Sequence, residues 1–227
     1  MGFNAVARVD GTNWQALRVA SRPLEYGLLG HYTATINVAL VVSQAANGTL
    51  FSFRWNPPAA NVGALCVLTS LALDCHQTAA ATATIYPNFQ AFIARSFTAS
   101  DSAGTAITLG GNQFKRRTSM GASLVADMRK SAVAAGLTVG TRTLDLQPII
   151  ELDTAQIITV GSATVPPGQI LYLESLLTRM IDGEHPHVFA ANEGFIVRGP
   201  TVLFGLAGTA ELTVRLAWTE LTPERFT

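Results

Sequence analysis

The feature that most restricts the fold of this 227-residue chain is the alternation of apolar and polar residues in two separate stretches. In the first stretch, 49–55, Phe51, Phe53 and Trp55 alternate with Ser52 and Arg54. The second stretch has Leu212, Val214, Leu216 and Trp218 alternating with Glu211, Thr213, Arg215 and Thr219. Successive side chains of a strand project to opposite faces, so both stretches predict half-buried β-strands.

Many shorter stretches between these two also have the composition of strands. The candidate strands are 32–42, 65–75, 89–98, 105–109, 156–160, 169–173, 187–190 and 195–198. Most are bounded by turn signals such as Asn47-Gly48 or Pro57-Pro58. Many short strands with frequent turns predict a mainly β protein, specifically a jelly-roll-like β-sandwich with an N-terminal arm, long loops and at most one or two short helices.

Three stretches carry weak helix signals. Asn13 is a candidate cap for a short turn that carries Trp14 and Leu17, the stretch 123–135 is rich in alanine, and 171–181 has leucines at helical spacing. The length suits a single domain. We expect residues 1–30 to form the arm and 31–227 the sandwich, with a long irregular insertion at about 110–148.

The composition indicates a protein that contacts other subunits. Charged residues make up 13% of the chain, about half the usual share, while 48% are apolar and the mean hydropathy is +0.30. Such a surface favours protein neighbours over water. Because the formal net charge is zero, there is no overall attraction to nucleic acid, and we expect no direct nucleic-acid binding.

Two further expectations concern location and thiol chemistry. The apolar stretches are shorter than a membrane span and the N-terminus lacks a secretory signal, so we expect no membrane contact and synthesis in the cytoplasm of the producing cell. An extended strand would place Cys66 and Cys75 about 30 Å apart, which predicts two buried free thiols rather than a disulfide.

The lack of clear catalytic and metal-binding patterns in the sequence favours a protein that is not an enzyme and has no cofactor. No serine-nucleophile motif accompanies any of the four histidines. The step His185-Pro186-His187, flanked by Asp182 and Glu184, is the best metal candidate, because alternate residues of a strand face the same way. We interpret it as a turn leading into a strand, with no metal.

The concentrated charge at Lys115, Arg116 and Arg117 indicates a contact site. A basic triplet can dock on an acidic protein patch, and the neighbouring Phe114 adds an apolar surface. The apolar residues of the arm suggest that it lies over a neighbouring subunit. The predicted contact residues are therefore Trp14, Leu17, Tyr26, Phe114, Lys115, Arg116 and Arg117.

Several strings of residues resemble virion proteins that are encoded beside the capsid genes of tailed bacteriophages. They are 183–198 (GEHPHVFAANEGFIVR), 217–220 (AWTE), 8–18 (RVDGTNWQALR), 30–32 (GHY) and 115–120 (KRRTSM). The resemblance implies a capsid cement or decoration protein on the virion surface. Its partners would be the major capsid protein and copies of itself, a trimer suiting local three-fold positions.

Two alternatives remain open at this stage. One is a different virion position, in the tail, the neck or the base of a fibre. The other is a carbohydrate-binding jelly-roll module, in which Trp55 or Trp218 would stack on a sugar ring. Both tryptophans lie on strand faces that are predicted to be core.

Overall fold

The structure, a computed structural model, describes residues 6–9, 12–15, 29–40, 44–77, 88–153, 170–175, 186–199 and 210–222. The described part is mainly β and contains two 3₁₀ turns, Ala59–Asn61 and Asn112–Phe114, but no α-helix. The strands are β1 (Val6–Val9), β2 (Thr12–Gln15), β3 (Gly30–Ala39), β4 (Thr49–Trp55), β5 (Leu65–Gln77), β6 (Asn88–Ala99), β7 (Thr105–Ala106), β8 (Asp127–Lys130), β9 (Thr141–Leu144), β10 (Ile150–Asp153), β11 (Ile170–Ser175), β12 (His187–Phe189), β13 (Glu193–Arg198) and β14 (Ala210–Leu221).

Two antiparallel sheets form a sandwich. The seven-stranded sheet has the order β10-β6-β13-β4-β8-β7, with β9 also paired to β6. The five-stranded sheet has the order β11-β5-β14-β3, with β12 also paired to β5. A separate hairpin joins β1 to β2. The predicted β-sandwich is therefore confirmed.

The strand pairs of the two sheets are nested along the chain. Strand β3 pairs with β14, β4 with β13, β5 with β11 and β6 with β10, each time antiparallel. Additional pairs, β14 with β5 and β13 with β6, join the nested pairs into sheets. The first and last strands of the sandwich, β3 and β14, therefore lie side by side.

Aromatic side chains fill the space between the sheets. Phe53 of β4 stacks on Phe195 of β13, with 5.2 Å between ring centroids. Across the sandwich, the same ring meets Trp218 of β14 edge-on at 5.5 Å. Trp218 in turn stacks on Tyr32 of β3 at 5.5 Å. The apolar residues of the alternating pattern in β4 and β14 thus form part of the core, because each strand directs alternate side chains inward.

The predicted strands agree with most of the observed ones. Strand β4 has the predicted bounds, and β3, β5, β6, β11, β12 and β13 begin and end within a few residues of their predictions. Strand β7 is only two residues long, against the predicted 105–109. The candidate strand 156–160 lies outside the described residues.

The helix signals in the sequence are wrong where the structure describes them. The alanine-rich stretch 123–135 contains β8, which pairs with β4 and buries Met128 opposite Phe53. Asn13 pairs with Arg8 in the β1–β2 hairpin and caps no helix. Residues 170–175, at the start of the third signal, form β11. Strand pairing outweighs weak helix propensity in each case, locally in the β1–β2 hairpin and over long range for β8 and β11.

Two details of the sequence analysis are also settled by the structure. Strands β8 and β9 lie within 110–148, so this stretch is not irregular throughout. Cys66 and Cys75 are free and buried, as predicted. Burial raises the pKa of both thiols, that of Cys75 to about 12. The two cysteines therefore behave as small core residues.

Candidate interaction surface

The basic triplet lies on a loop that follows the free edge of β3. Strand β3 is the last strand of its sheet, and on its outer edge Lys115 forms an isolated antiparallel bridge with Tyr32. The backbone N–H of Arg116 donates to the carbonyl oxygen of His31 at 3.0 Å. The loop therefore continues the hydrogen-bonding pattern of the sheet for a short distance, which satisfies part of an otherwise unpaired edge.

The side of the triplet nearer the N-terminus is fixed by a 3₁₀ turn and by an apolar contact. The turn Asn112–Phe114 is closed by the N–H of Lys115, which donates to the carbonyl oxygen of Asn112 at 3.0 Å. Phe114 is half-buried and packs against the main core. The predicted contact residue Phe114 therefore anchors the loop and offers only part of its ring to a partner.

The other side of the triplet is fixed by a buried carboxylate. Ser123 Oγ donates to Glu220 Oε1 at 2.6 Å, and the N–H of Leu124 donates to Oε2 at 3.0 Å. Glu220 also accepts from Trp218 Nε1 at 3.1 Å. Tyr32 Oη donates to the carbonyl oxygen of Gly121 at 3.1 Å. The loop is thus pinned to the sandwich on both sides of the triplet.

Glu220 is fully buried and has no cationic partner among the described residues. Burial raises the pKa of its carboxyl group, and the hydrogen bonds from Ser123, Leu124 and Trp218 oppose this effect in part. Glu220 is not among the predicted site residues, although the sequence carries a signal for it. In β14 the core-facing positions run from Leu212 to Trp218 in steps of two, and the next step is Glu220.

The triplet itself is exposed and lacks an anionic partner in the described part of the chain. Arg116 and Arg117 are exposed and Lys115 is half-exposed. Elsewhere on the surface, charged side chains form ion pairs. For example, Arg95 Nε lies 2.9 Å from Asp145 Oδ1. Cationic side chains on a fixed loop backbone, without a partner in the described residues, are suited to an anionic group on another molecule.

His31 lies beneath the triplet, and its protonation state affects the charge of this surface. Its side chain is half-buried, and its Nε2 atom is buried with no hydrogen-bond partner in the structure. Burial and the nearby Arg116 cation lower the pKa of this imidazole. A neutral His31 leaves the positive charge of the patch to the three side chains of the triplet.

The structure brings together only part of the predicted contact set. Phe114, Lys115, Arg116 and Arg117 form one surface. Trp14 lies in β2, where the backbone alone is described, and Leu17 and Tyr26 lie outside the described residues. The contribution of the arm stays a prediction.

The remaining candidates for metal binding are histidines outside the triplet region. His185 lies outside the described residues, while His187 begins β12. His76 Nε2 lies 3.3 Å from Glu211 Oε2 on the face of β5 opposite the buried Cys75. Within the described ranges, no group of three His, Cys, Asp or Glu side chains is arranged to hold a metal ion. Over the same ranges, no helix has the length and apolarity needed to cross a membrane.

Comparison with known protein families, with curated proteins and with solved structures finds no match.

Proposed function

We propose that this protein is a non-enzymatic virion component that binds the outer face of a phage capsid and cements neighbouring capsomers. The observation that carries the proposal is the basic triplet, whose backbone is hydrogen-bonded to a sheet edge and whose side chains have no anionic partner among the described residues. The low share of charged residues and the sequence resemblance to phage head-associated proteins support the same function.

In the proposed mechanism, binding alone stabilises the shell. Lys115, Arg116 and Arg117 contact an acidic patch on the major capsid protein, while the arm, with Trp14, Leu17 and Tyr26, lies over an adjacent subunit. Each copy adds contacts that must break before capsomers separate, and many copies act together on one particle. A trimer would place three such triplets around a local three-fold axis.

The nested strand pairs support a finer description of the fold. We interpret the orders β3-β14-β5-β11 and β4-β13-β6-β10 as those of a jelly roll, the architecture found in viral capsid and lectin domains. Fold alone does not decide between these two uses. The residues of the candidate site must therefore distinguish a capsid-binding protein from a sugar-binding one.

The burial of the tryptophans argues against the sugar-binding alternative in its predicted form. Trp55 and Trp218 are both 0% exposed, so neither can stack on a sugar ring. A position in the tail, the neck or a fibre base uses the same kind of contact surface, and the location of the chain on intact particles distinguishes these positions.

Reversing the charge of the triplet tests the proposal. The variant Lys115→Glu/Arg116→Glu/Arg117→Glu should bind capsids of the same phage less well than the wild type in co-sedimentation, most clearly at low salt. The matched control is Lys115→Arg/Arg116→Lys/Arg117→Lys, which keeps the charge and should retain binding. Equal binding of both variants would show that the triplet is not the contact, and absence of wild-type binding to capsids would refute the proposed function.

Truncation of residues 1–25 tests the arm separately. We expect the truncated protein to keep a folded sandwich, measured by circular dichroism, and to occupy fewer sites on capsids than the full chain. Unchanged occupancy would remove the arm from the mechanism while leaving the triplet in place.

A further inference from the structure

A cavity of about 370 Å³ lies beside the beginning of β4. Its position is set by the segment that precedes β9, because the N–H of Leu137 donates to the carbonyl oxygen of Thr49 at 2.7 Å. Gly136 makes this approach possible: its φ is +80°, and a Cβ atom there would lie 2.8 Å from the same oxygen. The end of β13 closes another side, where the N–H of Gly199 donates to the carbonyl oxygen of Gly48 at 2.7 Å.

One end of the cavity is formed by a fixed guanidinium group. The Arg142 side chain is 2% exposed and forms an ion pair with Asp101, which is 0% exposed. Its Nη2 atom donates to Thr49 Oγ1 at 3.0 Å, and its Cζ atom lies 5.2 Å from the centroid of the Phe97 ring. The Nε atom is buried and has no hydrogen-bond partner in the structure. One donor of this preorganised group is therefore unused.

The second charged group of the lining is also an arginine. Arg198 lies with its guanidinium over the Phe92 ring, 5.0 Å from the centroid, and forms no ion pair with any residue in the described ranges. No acidic residue is among those that line the cavity. Because Asp101 balances Arg142, the lining carries the equivalent of one uncompensated positive charge.

Beside the two arginines, the lining has an apolar part and the two polar residues Asn47 and Thr49. Ala135, Leu137, Val139 and Leu144 contribute to the lining. A ligand that fits both parts has a single negative charge at one end and a short hydrocarbon body at the other. Phosphate fits less well, since its second charge would find no further uncompensated cation among the lining residues.

We propose that this cavity binds a monocarboxylate attached to an apolar body, with Arg198 as the main partner of the carboxylate. Both a free short-chain carboxylic acid and the C-terminal carboxylate of a peptide that ends in an apolar residue have this chemistry. The inference does not depend on capsid binding.

Titration calorimetry on the intact protein tests the site with defined probes. We expect saturable binding of hexanoate in the millimolar range, and weaker or no binding of hexylamine, hexanol and inorganic phosphate. The peptides acetyl-Ala-Ala-Leu with a free and with an amidated C-terminus distinguish the two sources: stronger binding of the free form than of hexanoate identifies a peptide terminus, and the reverse identifies a small acid.

Two variants locate the site. Arg198→Gln should weaken hexanoate binding about tenfold or more, as expected for loss of a charged hydrogen-bond partner. Val139→Glu should also weaken it, by placing a negative charge at the cavity; Val139 is 61% exposed, so this change is compatible with folding. The control Arg129→Gln changes an arginine that does not line the cavity and should leave the affinity unchanged.

Three results would overturn the inference. They are the absence of saturable hexanoate binding to the folded wild type, equal affinity of wild type and both cavity variants, and phosphate binding as strong as that of hexanoate.

Discussion

The buried ion pair between Arg142 and Asp101 allows a quantitative test of the structure. Removing one partner of such a pair costs about 3–5 kcal/mol, because the other charge stays buried. In Arg142→Met, Asp101 would keep, from the described residues, the N–H of Gly140, which donates to it at 2.8 Å. In Asp101→Asn, Arg142 would keep Thr49 Oγ1 and the Phe97 ring. Since each charge keeps some support, we expect a loss near the lower limit, about 3 kcal/mol for either change.

The double variant Arg142→Met/Asp101→Asn should lose far less stability than the sum of the two single changes, because no buried charge then remains unpaired. We expect a coupling energy of about 2–3 kcal/mol from the double-mutant cycle. The free energy of unfolding would be measured by urea denaturation with linear extrapolation.

A surface pair of the same chain is the control. Arg95 and Asp145 are 53% and 38% exposed in their side chains, so Arg95→Met should cost less than about 1 kcal/mol. If Arg142→Met cost no more than Arg95→Met, or if the two single changes at the buried pair simply added, the argument from burial would be refuted.

Three further predictions follow from the core and its buried groups. Because burial raises the pKa of Glu220, the contribution of this residue to the free energy of unfolding should be greatest below the ordinary carboxyl pKa and should fall as pH rises through the raised pKa. Glu220→Gln should flatten this pH dependence in urea denaturation. An unchanged pH dependence would contradict the raised pKa of Glu220. Gly194→Ala should cost about 3 kcal/mol or more in the same assay, since its Cβ would lie 2.0 Å from the carbonyl oxygen of Phe53; a neutral effect would show that β4 and β13 pack less closely. Cys66, buried with a raised pKa, should react with a thiol reagent only in denaturant, and a reaction in the native state would show access to the core.

The sequence was sufficient to predict the strands in which apolar and polar residues alternate. Phe51, Phe53 and Trp55 all point inward from β4, and the C-terminal strand does the same with Leu212 and its successors. In both strands the large apolar side chains lie on the face toward the core. The other face carries mainly small or polar residues such as Ser52 and Thr213, although both of these are buried, so the two-residue period is visible in the sequence. The same argument identified Trp55 and Trp218 as core residues rather than binding platforms.

The sequence could not predict features that depend on long-range pairing. Strand β8 has a single buried apolar side chain, Met128, and its strand conformation comes from pairing with β4 more than 70 residues earlier in the chain. The buried pair joins Asp101 to Arg142 across 41 positions, and neither residue stands out locally. Likewise, the support of the basic triplet by Glu220 requires that the 3D fold bring residues 123 and 220 together.

The distribution of apolar side chains refines what kind of interface this surface can form. In the described ranges only Val62, Val133, Val139 and Leu146 are large apolar residues with high exposure, so the apolar excess of the sequence is largely in the core. A partner that binds the described surface would gain little from hydrophobic burial there, and the interaction would depend more on shape, hydrogen bonds and a few well-placed charges. Because most other charges of this surface already have internal partners, reversing the three charges at 115–117 should affect association more than a comparable change elsewhere on the described surface.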